Sequence, residues 1–443
     1  MKSVLVTCMA LLAGLAGAEN VSQKRDDKGV IKMKLDHLNR KGYLVEMRFG
    51  SNKEKASLWL ETSSSDIWLP SSGVNCTSSD SDCESLGSFN WAQSSSFHDN
   101  VTAHNFSYYF DPDSIQGIWG YDNVVVGGVE VKDLTFGVAQ ESIYSGGVCG
   151  IGKKEKESNL LYVNETAYEN LPLKMKSQGL INKAAYSIFL NSSDAIEGQL
   201  LFGGVDHAKY EGQLVTLPKA SNGPFSGPFV AMDYLYFNEN PSMSNKTNVT
   251  QEIPPPYRAK INVGVEWSNL PHDIFQQFAV NVNATWNDTS SLWNVPCDSA
   301  SLMTVGFAFS NISIEVPLTD LIYSPVNGTC VLTVFPFYND ESMSYISLGH
   351  NFLRHVYAVF DMEDDTVSIA RAKYTDEEDI VAFSGSISSN STAIDSSDSS
   401  NPGSSSVAAH SQPAKSSSKN EGMVHGTSIL GFVAILLAHL SIF

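Results

Sequence analysis

Basic residues are scarce in this chain. Its 28 Lys and Arg stand against 48 Asp and Glu, a formal net charge of −20 and a pI near 4.8. A surface of that sign repels phosphate backbones, so nucleic acid is excluded as an expected partner. The six cysteines and ten histidines show no zinc-binding spacing, and His104, His207, His350 and His355 look isolated. Neither a metal nor a cofactor is expected. No solenoid period recurs.

Long apolar runs occur at the two ends. Residues 1–18 read as a secretory signal, with Lys2 as charged start, Val4 to Leu15 apolar, and Ala16-Gly17-Ala18 as cleavage site. The apolar part is too short to span a bilayer. Residues 19–25 are a candidate pro-segment, where Lys24-Arg25 reads as a dibasic processing site or a chance pair. Residues 380–420 form a stalk dominated by Ser from Ser384 to Ser418, too poor in apolar surface to repay ordering and suited to O-glycosylation. Residues 421–443 hold a spacer and the apolar run Ile429 to Phe443, the order of a glycosylphosphatidylinositol (GPI) attachment signal. Asn420, with Gly422 two residues on, is the expected attachment site; Ser417 and Ser418 stay open. The expected location is the outer face of the plasma membrane, anchored in the bilayer, or the cell wall, with wall glucan as a further partner.

The body between these ends suits two lobes, 26–215 and 216–379, sharing a cleft. Aromatic and β-branched runs alternate with Gly, Asn and Ser turns. Asn123 to Val131 predicts strand–turn–strand, and Tyr357 to Ala370 a hairpin with an acidic turn. Short helices are expected over Leu171 to Gly179 and His272 to Val280. In an oxidising compartment Cys76 with Cys83, and Cys297 with Cys330, should form disulfides, although four cysteines allow three connectivities. Cys149 then reads as a small buried apolar residue or a reactive thiol. Glycosylation sequons are dense: Asn75, Asn100, Asn105, Asn164, Asn191, Asn245, Asn248, Asn283, Asn287, Asn311 and Asn327.

Two segments carry the chemistry. Leu58 to Pro70 resembles the first active-site strand and loop of pepsin-type aspartic proteases, which read Asp-Thr-Gly-Ser-Ser-Asp-aliphatic-Trp-Val there. Here Glu61 replaces the Asp and Ser63 the Gly, while Thr62 is kept. Ala259 to Pro271 resembles the second copy, with Asn262 for Asp, Val263 for Ser, Gly264 kept, and Val265-Glu266 for Thr-Thr. The likeness runs from Tyr43 to Tyr374. Within it, Asn170 to Ile181, Ala185 to Asn191 and Leu200 to Tyr210 are similar to the yapsin-like, GPI-anchored branch of yeast cell surfaces. Gly147 to Gly152 and Ile346 to Arg354 resemble the loops beneath the two active-site loops, with Cys149 for a Leu and His350 for an Asp. The resemblance implies a mainly β, bilobal pepsin-like fold with a central peptide cleft. It also implies a flap tyrosine at Tyr109 with Trp68 as partner.

Such proteases split peptides with two carboxyl groups that share one proton around a water. An amide neither takes nor gives that proton, so Asn262 breaks the pair. The extra methylene of Glu61 displaces its carboxylate by roughly 1 Å, and misplacement of that size costs about 10²-fold. Ser63 fills space that a glycine leaves open. In the flap, Phe110 and Pro112 replace glycines of a turn that needs positive φ. Gly50 to Lys55 replaces the usual Gly-Thr-Pro segment. Asp66, Asp361 and Glu266 are the other acids near these motifs. The expectation is an inactive, glycosylated surface protein whose cleft holds extended peptide or glycoprotein segments, or a structural wall protein. The alternative is a yapsin-type acid endopeptidase with residual or unusual activity.

Overall fold

The computed structural model describes residues 29–38, 41–77, 82–99, 105–108, 111–163, 166–220, 229–239, 257–300, 303–324, 330–337 and 345–385. The expected signal, pro-segment and attachment signal, and nearly all of the stalk, lie outside them. So do Tyr109, Asn100, Asn164, Asn245, Asn248, Asn327 and Asn420. No described helix is long and apolar enough to cross a membrane.

The chain is mainly β. Its largest sheet has 14 strands, and toward one end both halves of the chain interleave: Val356–Asp361 pairs with Ala185–Phe189, Tyr186 opposite Phe360. Ala185–Phe189 is buried along its whole length. Side chains alternate across a strand. Accordingly Ala185 and Phe189 pack with Tyr357 and Val359 on one face, while Tyr186 and Ile188 join Ala358 and Phe360 in the main core on the other.

The two halves repeat one device. Strand Glu54–Glu61 runs parallel to Gly147–Gly150, which also pairs antiparallel with Ile67–Cys76. In the second half, Tyr257–Ile261 runs parallel to Tyr345–Leu348, which also pairs antiparallel with Ser268–Leu270. Each set delivers a loop, 61–66 or 262–267, to the middle of the molecule. Glycine is required beneath both loops. A Cβ at Gly150 would lie 2.5 Å from the Asp66 carbonyl oxygen, and one at Gly349 2.6 Å from that of Trp267.

The expected local elements are present. Hairpins join Asp111–Val126 to Val129–Ser142 through Gly127 and Gly128, both at positive φ, and Val356–Asp361 to Thr366–Ala372. Helices occupy Leu171–Ser177 and His272–Asn281, the second burying Ile274, Phe275, Phe278 and Ala279 at helical spacing. Disulfides join Cys76 to Cys83 and Cys297 to Cys330. Cys149 is free and fully buried, and burial pushes its thiol up to about 12, which suits an inert apolar residue. Of the described sequons, Asn75, Asn105, Asn283 and Asn311 are exposed, and Asn191 and Asn287 partly so.

Candidate active site

Loops 61–66 and 262–267 meet between the two halves, and Thr62 ties them together. Its hydroxyl accepts from the Val263 N–H at 3.1 Å and points back at the Ile261 carbonyl at 3.5 Å. Val263 has no hydroxyl to return the pair. Replacing the only acceptor of a buried N–H costs about 1–3 kcal/mol. Thr62→Val should therefore lower the unfolding free energy by about that amount, read as a lower urea midpoint with an unchanged slope.

Glu61 reaches across this seam. A Cβ on Gly264 would lie 1.7 Å from Glu61 Oε2, so the longer side chain occupies the space that Gly264 leaves free. The Ser63 N–H donates to Glu61 Oε1 at 2.5 Å. Glu61 keeps a little surface area, yet protein crowds its carboxyl. Desolvation raises its pKa above the ordinary carboxylate range, opposed by Lys260, the Ser63 N–H and hydroxyl, and the Thr62 N–H.

Asn262 is buried. The Gly264 N–H donates to Asn262 Oδ1 at 3.0 Å, which fixes the oxygen end of the amide. The Ser63 hydroxyl lies 3.0 Å from the same oxygen and also bonds the Glu61 carboxyl. A hydroxyl has one proton to give. Since Asn262 Oδ1 and an ionised Glu61 carboxyl both only accept, the single Ser63 proton is shared between them, and its pull toward Glu61 favours the carboxylate. A side-chain hydroxyl thus connects Glu61 and Asn262 across the seam.

Lys260 had no place in the sequence expectations. Strand alternation puts it on the same face as Asn262, two residues on. Burial lowers its pKa to about 8, with Glu61 raising and Lys156 lowering it. The other acids are engaged elsewhere. Asp66 is buried and accepts from the Ser158 N–H, the Ser158 hydroxyl and Tyr168. Asp361 pairs with Lys183 at 2.7 Å, and Glu266 faces His37 at 3.9 Å.

Trp68 packs against Tyr108, at 5.4 Å between centroids; the expected flap tyrosine, Tyr109, lies outside the described residues. Tyr108 is buried, bonds Ser64, and has a pKa raised well above normal by desolvation and by Glu61.

Three of the four histidines expected to be isolated have partners, and His104 lies outside the described residues. His355 lies 3.0 Å from Asp320 and His207 2.6 Å from the Tyr210 hydroxyl. His350 joins His37 and Glu266 in one cluster.

These features define a two-lobed β protein with paired loops in an interlobe site, the plan of an aspartic protease. The chain belongs to the eukaryotic aspartyl protease family, whose model matches residues 42–372. It is 32% identical over 362 residues to aspartic proteinase yapsin-3 of Saccharomyces cerevisiae, covering 78% of this chain and 69% of that one. It is 36% identical over 314 residues to secreted aspartic protease 9 of Candida albicans, covering 70% of this chain but only 56% of the relative. Secreted aspartic protease 10 of the same species is 31% identical over 364 residues, 76% of this chain and 73% of that one.

Proposed function

We propose that this chain is a catalytically silent member of the aspartyl protease family, carried on the cell surface or wall by a GPI anchor, whose cleft holds extended peptide or glycoprotein segments without cutting them. The observation that carries this reading is the Ser63 bridge. Its hydroxyl connects a carboxyl to an amide, and the group opposite Glu61 at Asn262 does not titrate. Hydrolysis by this route needs one group to take a proton while the other gives one. The names of the relatives, a yapsin and secreted proteases, support an extracellular setting. The terminal signals in the sequence support anchoring, with Asn420 as the attachment point. The body divides at about residue 215 into its two lobes, as the repeated loop device suggests.

Holding peptides predicts saturable calorimetric binding of an extended, pepstatin-like peptide by the purified chain, with the peptide recovered intact. A wall protein with no peptide role gives no heat of binding at any concentration tested.

A further inference from the structure

His37, Glu266 and His350 come from distant parts of the chain: the Ile31–Leu38 strand, the 262–267 loop and the short helix His350–Leu353. One ligand atom from each lies within 4.8 Å of the other two. The facing atoms are all buried and without a hydrogen-bond partner: His37 Nε2, Glu266 Oε2 and His350 Nδ1. His350 is only 2% exposed. Its other nitrogen, Nε2, sits 2.5 Å from the Val263 carbonyl oxygen. A carbonyl only accepts, so that nitrogen carries the proton and Nδ1 presents a bare lone pair to the cluster. Anchoring one imidazole N–H on a carbonyl is how proteins fix a histidine for metal binding.

We infer that His37, Glu266 and His350 form a binding site for a divalent late first-row cation, with zinc the chemical class that two imidazoles and one carboxylate suit. Two nitrogens and one oxygen are a common three-residue set for zinc, and solvent supplies the remaining position. The cluster opens on a cavity of about 350 Å³, also lined by Asp194, Asp320 and Arg354. Bond lengths near 2.1 Å require the three atoms to draw together by several tenths of an ångström. Since His37 and Glu266 come from opposite halves of the chain, the ion would join them.

Arg354 sets the strength of the site. Its Nη2 lies 3.1 Å from His37 Nδ1. A guanidinium only donates, so in the metal-free chain the His37 proton is on Nε2, facing Glu266. Ion capture moves that proton to Nδ1 and forces Nη2 to turn away. The guanidinium keeps the Ser192 carbonyl through Nη1 and stays over the Tyr43 ring. The competition weakens the site. It also means that a side chain able to accept from Nδ1–H strengthens it.

The test uses the full chain, stripped with chelator, and titrated with Co²⁺ as a spectroscopic stand-in. The expected result is one visible-band-forming Co²⁺ per chain, displaced by Zn²⁺. Glu266→Gln and His37→Gln should each weaken it at least ~10-fold, with thermal midpoints confirming that both variants fold. Arg354→Gln, where it folds, should tighten binding by ~10-fold. Absence of the band at millimolar Co²⁺ overturns the inference and leaves a shared water as the occupant of the cluster. An undiminished band in both ligand variants also overturns it, by placing the ion elsewhere.

Discussion

Peptidase activity should emerge when Glu61→Asp, Ser63→Gly and Asn262→Asp are combined, and should stay below detection in each single variant. The magnitude follows from geometry. Asn262→Asp alone returns a second acid, but Glu61 still spreads over Gly264 and the Ser63 hydroxyl still fills the connecting position. Glu61→Asp with Asn262→Asp restores both acids while the serine remains. That double variant should run at least ~10²-fold below the triple, the cost of misplacing a reacting group by about an ångström. Activity in the double variant equal to the triple would show that Ser63 is a bystander. The assay is cleavage of a fluorogenic peptide pool between pH 3 and 6, with pepstatin as control.

The second large effect is a fall in stability as pH rises. Behind the first loop lie two fully buried carboxyls, Asp66 and Glu157. Desolvation raises Asp66 to about 6, opposed by its bonds from Ser158 and Tyr168. Desolvation raises Glu157 to about 9, with the Tyr168 N–H opposing and Asp66 adding to it. Both folded-state values exceed the unfolded ones, so the folded chain binds protons more tightly than the unfolded chain. Their stabilisation is fully present below about pH 4, near the unfolded carboxylate values. It is lost as pH rises through about 6 for Asp66 and about 9 for Glu157. Each titrating group contributes a slope of up to ~1.4 kcal/mol per pH unit. Thermal midpoints should therefore be highest in acid and fall by several degrees toward pH 8. Glu157→Gln keeps an oxygen for the Tyr168 N–H and never ionises. It should flatten the upper part of the curve, from about pH 6 to 9. A wild-type midpoint that rises from pH 4 to 8 contradicts this account.

Much of the fold could be read from the sequence because its signals are local. Gly127-Gly128 marks a turn, Pro271 opens a helix, and the Val356–Asp361 hairpin announces itself by alternation around an acidic turn. The structure brings together the loops that hold Glu61, Ser63 and Asn262, and their two motifs were equally legible. What Ser63 does there was not, because the bond to Asn262 depends on a side-chain direction across 199 residues of chain. Lys260 left a usable signal in strand alternation two residues before Asn262. The cluster of His37, Glu266 and His350 left none, since only the folded topology brings those three segments together.

The most direct test of the central claim is digestion of an unbiased peptide library by the wild-type chain, from pH 3 to 6, read by mass spectrometry. With Ser63 joining one acid to an amide, the library should emerge uncut and indistinguishable from an enzyme-free control. Sustained, pepstatin-sensitive cleavage that disappears in Glu61→Ala would contradict the account.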